Sequence, residues 1–187
     1  MRRAIIGGTF DPPHIAHLVA AETAVHQLGL DEARFVPAGS PWQKAERDVT
    51  AAMHRWEMTR RAVSGVEYFA ADDIEVRRSG WSYTIDTLTA LPFDDVVLIL
   101  GADAAANLPS WHRFEEVRSM ATIAVAPRPG TPRHLVEDVL PDAVWLDMPV
   151  LDLSGTDVRE RARAGSSIRF LVREPVHDYI REHNLYA

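Results

Sequence analysis

The residues richest in chemistry stand near the start of the chain. Gly7-Gly8-Thr9-Phe10-Asp11-Pro12-Pro13-His14-Ile15-Ala16-His17 joins a short apolar run to an amphipathic one. Two glycines let a backbone turn sharply and come close to a phosphate. Asp11 and the prolines fix the turn that leads into a helix. A helix N-terminus offers N–H groups and the positive end of a dipole, which suits an anion. His14 and His17 share one face of the first turn, and both can donate to phosphate oxygens. Two histidines on one turn are also half of a zinc site, but no well-placed third ligand is visible in the sequence. With no cysteine in the chain, disulfides, thiolate metal sites and thiol catalysis are excluded.

Positioning such a loop requires a strand before it and a helix after it, and the pattern supplies both. Arg3–Ile6 reads as a strand, and Ile15–Leu28 as a helix with Ile15, Leu18, Val19, Val25 and Leu28 on its inner stripe. Arg34–Pro37, Val66–Ala70, Ile74–Val76, Asp95–Leu100, Thr122–Ala126 and Val144–Leu146 read as further strands. Asp95–Leu100 is the clearest, since an unbroken apolar run marks a strand buried on both faces. Asp48 or Thr50 caps a helix with Met53, Trp56 and Val63 inward, and Ser82 or Thr84 caps a short helix through Leu91. Two short helical pieces surround Trp111, and Thr156–Ala164 and Pro175–His183 close the chain as helices.

Strands separated by helices predict an α/β fold: a doubly wound, Rossmann-like parallel sheet with helices on both faces and a small C-terminal helical subdomain. Ligands in such folds bind beyond the carboxyl ends of the strands, where every motif falls. The 187 residues fit one domain, 1–187, with 155–187 as its closing helical segment. The long segment 37–49 reads as a loop. No signal peptide is expected, and no apolar run is long enough to span a bilayer. A formal charge of −7 argues against nucleic acid or anionic membrane as a partner. A cytoplasmic protein is expected, and the composition is compatible with a homo-oligomer.

The first string resembles the phosphate-binding signature of the nucleotidyltransferases, G-G-T-F-D-P-x-H-x-G-H. Histidine at position 14, rather than threonine, resembles the nicotinate-nucleotide adenylyltransferases in particular. The likeness extends over nearly the whole chain and implies ATP and nicotinate mononucleotide as substrates, with Mg²⁺ bound mainly through the ATP phosphates. By this resemblance His14, His17 and Arg159 are catalytic, gathering the triphosphate. Gly7, Gly8, Thr9, Phe10, Gly101, Asp103, Ser154 and Thr156 complete the ATP site, with Asp103 on the ribose. Lys44, Tyr83, Thr84, Trp111 and Arg128 hold the mononucleotide: Trp111 stacks on the pyridine ring, and Arg128 grips the phosphate. An isolated tryptophan is otherwise a core residue. His54–Met58 and the run from Val172 to Tyr186 are read as structural.

Two positions depart from the family pattern. Ala16 replaces a glycine, and Gly155 replaces the second of the two serines preceding the motif threonine, which removes one hydroxyl of the usual pair. These departures motivate a different class, a nucleotide-binding regulator without catalysis. A related enzyme preferring nicotinamide mononucleotide or another phosphorylated acceptor is the closer alternative. A nucleic-acid-binding module lacks a basic stripe to support it.

Overall fold

A computed structural model describes residues 1–41, 49–91 and 95–187. Six parallel strands form one sheet in the order β3-β2-β1-β4-β5-β6. They are β1 (Arg2–Gly8), β2 (Glu32–Pro37), β3 (Phe69–Ala71), β4 (Asp95–Gly101), β5 (Thr122–Ala126) and β6 (Val144–Trp145). Along the chain, α1 (Ile15–Leu28) follows β1, and α2 (Ala52–Val63) follows β2. After β3 come α3 (Ile74–Arg77) and α4 (Thr84–Ala90). Beyond β4 lie α5 (Ala102–Ala106), a 3₁₀ turn (Leu108–Ser110) and α6 (Phe114–Met120). α7 (Arg133–Glu137) precedes β6, and α8 (Gly155–Arg163) and α9 (Glu174–Glu182) end the order.

The expected doubly wound architecture is present, and its physical cause is visible in residue alternation. Ile6, Phe35 and Ile99 project to one face, against Ala20, Ala21 and Ala24 of α1. Ile5, Val36, Leu98 and Leu100 project to the other, against Ile85, Leu88, Ala105 and Val117 of α4 to α6. A strand's period of two delivers both sets from the same segments. A third cluster joins Met58 and Ala62 of α2 to Val158 of α8 and to Val176, Tyr179 and Ile180 of α9. β1 sits between β2 and β4, so the strand order reverses there and a crevice opens beyond their carboxyl ends.

Several local expectations are corrected. Ile74–Val76 is helix, not strand, because Asp72 Oδ1 accepts from the Ile74 amide and starts a helical turn. The strand expected at Val66–Ala70 is confined to Phe69–Ala71, where it pairs with β2. The inner stripe of α1 is built mainly of alanine, Ala20, Ala21 and Ala24; of the larger aliphatics expected there Val25 is buried, while Ile15, Leu18, Val19 and Leu28 are only partly so. On α2, Met53 is 65% exposed, while Arg55 is 1% exposed and fills the inner face. Ala51, not Thr50, occupies the N-cap of α2, Asp48 lying outside the described residues, and Tyr83, not Ser82 or Thr84, occupies that of α4. The helix α7 was not expected, its five residues being too few for a periodic signal.

Candidate active site

Beyond Gly8 the chain turns at Phe10, whose backbone is left-handed at φ 49°. The two glycines themselves end β1 as strand residues, so the sharp turn expected of them is displaced by two positions. Phe10 tolerates this conformation because its ring is buried, 5.0 Å from the His17 ring edge-on and 5.9 Å from Phe35. His14 then caps α1: its amide donates to His17 Nδ1 at 3.1 Å. That bond leaves the proton of a neutral His17 ring on Nε2, which makes Nε2 a donor. The two imidazoles stack at 3.8 Å. Burial, and next the charge of Arg128, push His14 down from 6.5 to about 4, so it is neutral at pH 7. Its Nδ1 is buried with no partner among the described residues, the kind of atom that a ligand satisfies.

The other end of the chain comes to the same place. Arg159 Nη1 donates to the Asp11 carbonyl at 2.7 Å, and Nη2 to Thr156 Oγ1 at 3.2 Å. Ser154 caps α8, accepting from the Asp157 amide at 3.2 Å. Its own hydroxyl donates to Asp157 Oδ2 at 2.5 Å, and these bonds hold the Asp157 carboxyl below its ordinary range. The Ser154 proton is therefore spent inside the helix cap, and Thr156 keeps one to give. Gly155 is a close-approach residue: a Cβ there would stand 2.9 Å from the Asp11 carbonyl oxygen and 3.3 Å from Arg159 Nη1. The family's usual hydroxyl residue would thus push α8 off the first loop, and its absence fits the local geometry.

Between these motifs lies a cleft of about 490 Å³. Gly7, Gly8, Thr9, Phe10, His14, His17, Gly101, Asp103, Thr84, Trp111, Arg128, Ser154, Thr156 and Arg159, all expected at the site, line it. Ala16 lines it too. Arg128 Nη1 donates to the Leu153 carbonyl at 2.9 Å, and Nε lies 3.7 Å from Asp103 Oδ1. Trp111 packs on the core of α4 to α6 while its half-buried ring faces the cleft, with Nε1 unpartnered among the described residues. Tyr83 is not in the lining; its ring lies 4.5 Å from that of His112. Lys44 falls in 42–48, outside the described residues.

Sequence reasoning missed the buried polar frame beneath the cleft. Arg55 donates to the carbonyls of Thr50, Thr9 and Gly39 at 2.8, 2.8 and 2.9 Å, and also to that of Ala38. Glu75 lines the cleft and accepts from Thr87 Oγ1 at 2.6 Å; burial holds its carboxyl above the ordinary range. Ser82 Oγ accepts from the Gly39 and Ser40 amides at 2.9 and 3.3 Å. The available signal was a charged residue at an inner helical position, as Arg55 is on α2.

A cytidylyltransferase-like family model matches residues 5–161. A protein of Salinibacter ruber named "Probable nicotinate-nucleotide adenylyltransferase" is 41% identical over 191 residues, covering all of this chain and 98% of that one. One of the same name from Desulfitobacterium hafniense is 40% identical over 197 residues, covering 99% and 95%. Among solved structures, Plasmodium falciparum nicotinic acid mononucleotide adenylyltransferase complexed with NaAD aligns at TM-score 0.82 and 20% identity, over 99% of this chain and 97% of that one. The same enzyme complexed with APC aligns at TM-score 0.79, and at this identity the two confirm the fold. With whole-length identity near 40% and a family model spanning both motifs, the chain belongs to the cytidylyltransferase-like family and, within it, to the nicotinate-nucleotide adenylyltransferases.

Proposed function

We propose that this chain, as one catalytic domain, transfers the adenylyl group of ATP to nicotinate mononucleotide, giving nicotinate adenine dinucleotide and pyrophosphate in NAD biosynthesis. The carrying observation is the meeting of both chain ends on one cleft: His14 and His17 from the first loop, Arg159 and Thr156 from α8. An oxygen of the mononucleotide phosphate forms a bond to the α-phosphorus of ATP. The bond from that phosphorus to the α–β bridging oxygen breaks, and pyrophosphate leaves with the electron pair. The attacking oxygen is already ionised at neutral pH, so no general base is needed. Catalysis then consists of bringing two anions together and stabilising charge on the transferred group.

In this mechanism His17 Nε2, neutral His14 and Arg159 hold the polyphosphate, with Thr156 as a further donor. Asp103 accepts from the ribose hydroxyls. Arg128, tied to Leu153 and near Asp103, is assigned to the mononucleotide phosphate, where it aligns the nucleophile. Thr84 and Trp111, both in the lining, receive the pyridine ring; the resemblance also assigns Tyr83 and Lys44 to the mononucleotide. Mg²⁺ is the proposed cofactor, and when bound it neutralises the phosphate oxygens. The cleft fits an ion carried in on the triphosphate, because its donors are mainly cationic or neutral and no three histidine or acidic side chains converge among the described residues. No described helix is long and apolar enough to cross a membrane, and we assign the enzyme to the cytoplasm, acting on nucleotides without nucleic acid or membrane partners, alone or as a homo-oligomer.

The test is to incubate the protein with Mg-ATP and, separately, nicotinate and nicotinamide mononucleotides, then weigh the products and measure pyrophosphate. The acid dinucleotide formed faster than the amide is expected. Faster turnover of the amide would transfer the assignment to that acceptor, and binding without pyrophosphate release would make the chain a regulator.

A further inference from the structure

The run from Val172 to Tyr186, legible in sequence only as packing, does more than fill the third core cluster. Tyr186 is 9% exposed, and its hydroxyl donates to Asp11 Oδ1 at 2.6 Å, across 175 positions of sequence. Asp11 is itself buried at 6% exposure. Its other carboxylate oxygen accepts from the Thr50 amide at 3.1 Å, and its carbonyl accepts from Arg159. A second tie lies nearby, where the Ile15 amide at the start of α1 donates to the Leu171 carbonyl at 2.9 Å. The loop carrying His14 is thus held by three groups from the last third of the chain: Arg159, Leu171 and Tyr186.

These bonds form one connected path. Tyr186 fixes the Asp11 side chain, the Asp11 residue presents its carbonyl, and that carbonyl holds one arm of Arg159. Met58 Sδ, 3.8 Å from the hydroxyl, backs the ring from α2. Burial beside Asp11 holds the phenol above its ordinary range, so it remains a donor throughout the working range of pH. Loss of the hydroxyl would leave a buried carboxylate oxygen without this donor, and the loop would shift to recover one.

We propose that Tyr186 is a positioning residue for adenylyl transfer, setting through Asp11 the direction in which Arg159 meets the polyphosphate. The proposal rests on the function proposed above. It concerns only the ATP half of the cleft, so its signature is selective: the acceptor half, on α4 and around Trp111, should not register the change.

The experiment compares steady-state kinetics of the parent protein, Tyr186→Phe, Arg159→Lys and the double variant, with thermal unfolding of each. Tyr186→Phe should lower kcat/KM for ATP about tenfold, with KM for the mononucleotide within about twofold. The losses from Tyr186→Phe and Arg159→Lys should be strongly non-additive, since both act through one contact. Leu185→Ala, which loosens packing of the same segment, should lower the melting temperature yet leave KM for ATP unchanged. Should Tyr186→Phe not fold, Asp11→Ala, which removes the acceptor of the same bond, must show the same non-additivity with Arg159→Lys. Additive losses, or equal effects on both substrates, would reduce Tyr186 to a structural residue. Absence of dinucleotide with the parent protein overturns the proposed function instead, which keeps the two failures apart.

Discussion

At the end of the cleft assigned to the polyphosphate, the defining contacts join segments far apart in sequence: Arg159 reaches Asp11 across 148 positions and Tyr186 reaches it across 175. At the end assigned to the pyridine ring the contacts span shorter separations, Thr87 to Glu75 across 12 positions and Ser82 to Gly39 across 43. The first end is therefore a product of global folding, in which main-chain carbonyls and helix caps are held by distant donors. The second is lined by the side chains of Trp111, Thr84, Glu75 and Thr87. A change at the first end should disturb the geometry of reaction, and a change at the second should disturb affinity for one substrate.

The sharpest test of that contrast is His17→Ala. A donor aimed at developing charge contributes about 4 kcal/mol when removed singly, so turnover should fall about 1,000-fold with the fold retained. Near-normal turnover in a folded variant would take His17 out of the mechanism. Next comes a pH effect confined to the same end. The folded pKa of His14 is depressed from 6.5 to about 4. The unfolded chain therefore takes up a proton below pH 6.5 that the folded chain refuses, and stability is lost as pH falls through this window. About 3 kcal/mol should be lost between neutrality and pH 4 from this residue alone. Chemical denaturation of His14→Asn across that range should show a flatter pH dependence than the parent; equal slopes would contradict the burial of a neutral ring.

At the ring end, Trp111→Ala should raise KM for the mononucleotide about tenfold, matching the value of one stacked aromatic contact, while KM for ATP stays nearly constant. Equal rises in both KM values would show that Trp111 serves the core alone. The smallest effect sharpens the comparison most. Gly155→Ser restores the residue common in related enzymes, yet its Cβ would crowd the Asp11 carbonyl. Activity should fall about threefold rather than rise. A gain would mean that the missing hydroxyl, not the close approach, governs this position.

Much of the site was legible before any coordinates. The first loop and the strand read as Asp95–Leu100, observed as Asp95–Gly101, were legible because turn residues and strand burial leave local signatures. The turn at Phe10 was not, since a left-handed bulky residue is tolerated only where its ring is already buried. Nor was the inner face of α2, where Arg55 replaces the expected Met53: a charge enters a core only if carbonyls from other segments receive it. The same holds for the Ser154 hydroxyl, read as a phosphate donor but committed to Asp157.

By itself the amino-acid order determined the alternation of strand and helix, the two cleft-lining motifs and the family to which they point, because these depend on periodicity and on residues adjacent in the chain. Only the tertiary structure decided that Asp11 is the junction of both chain ends, that Gly155 is a fit and not merely a loss, and that Tyr186 touches the first loop. Those facts are distances between remote segments, and no local pattern encodes a distance that the folded sheet alone establishes.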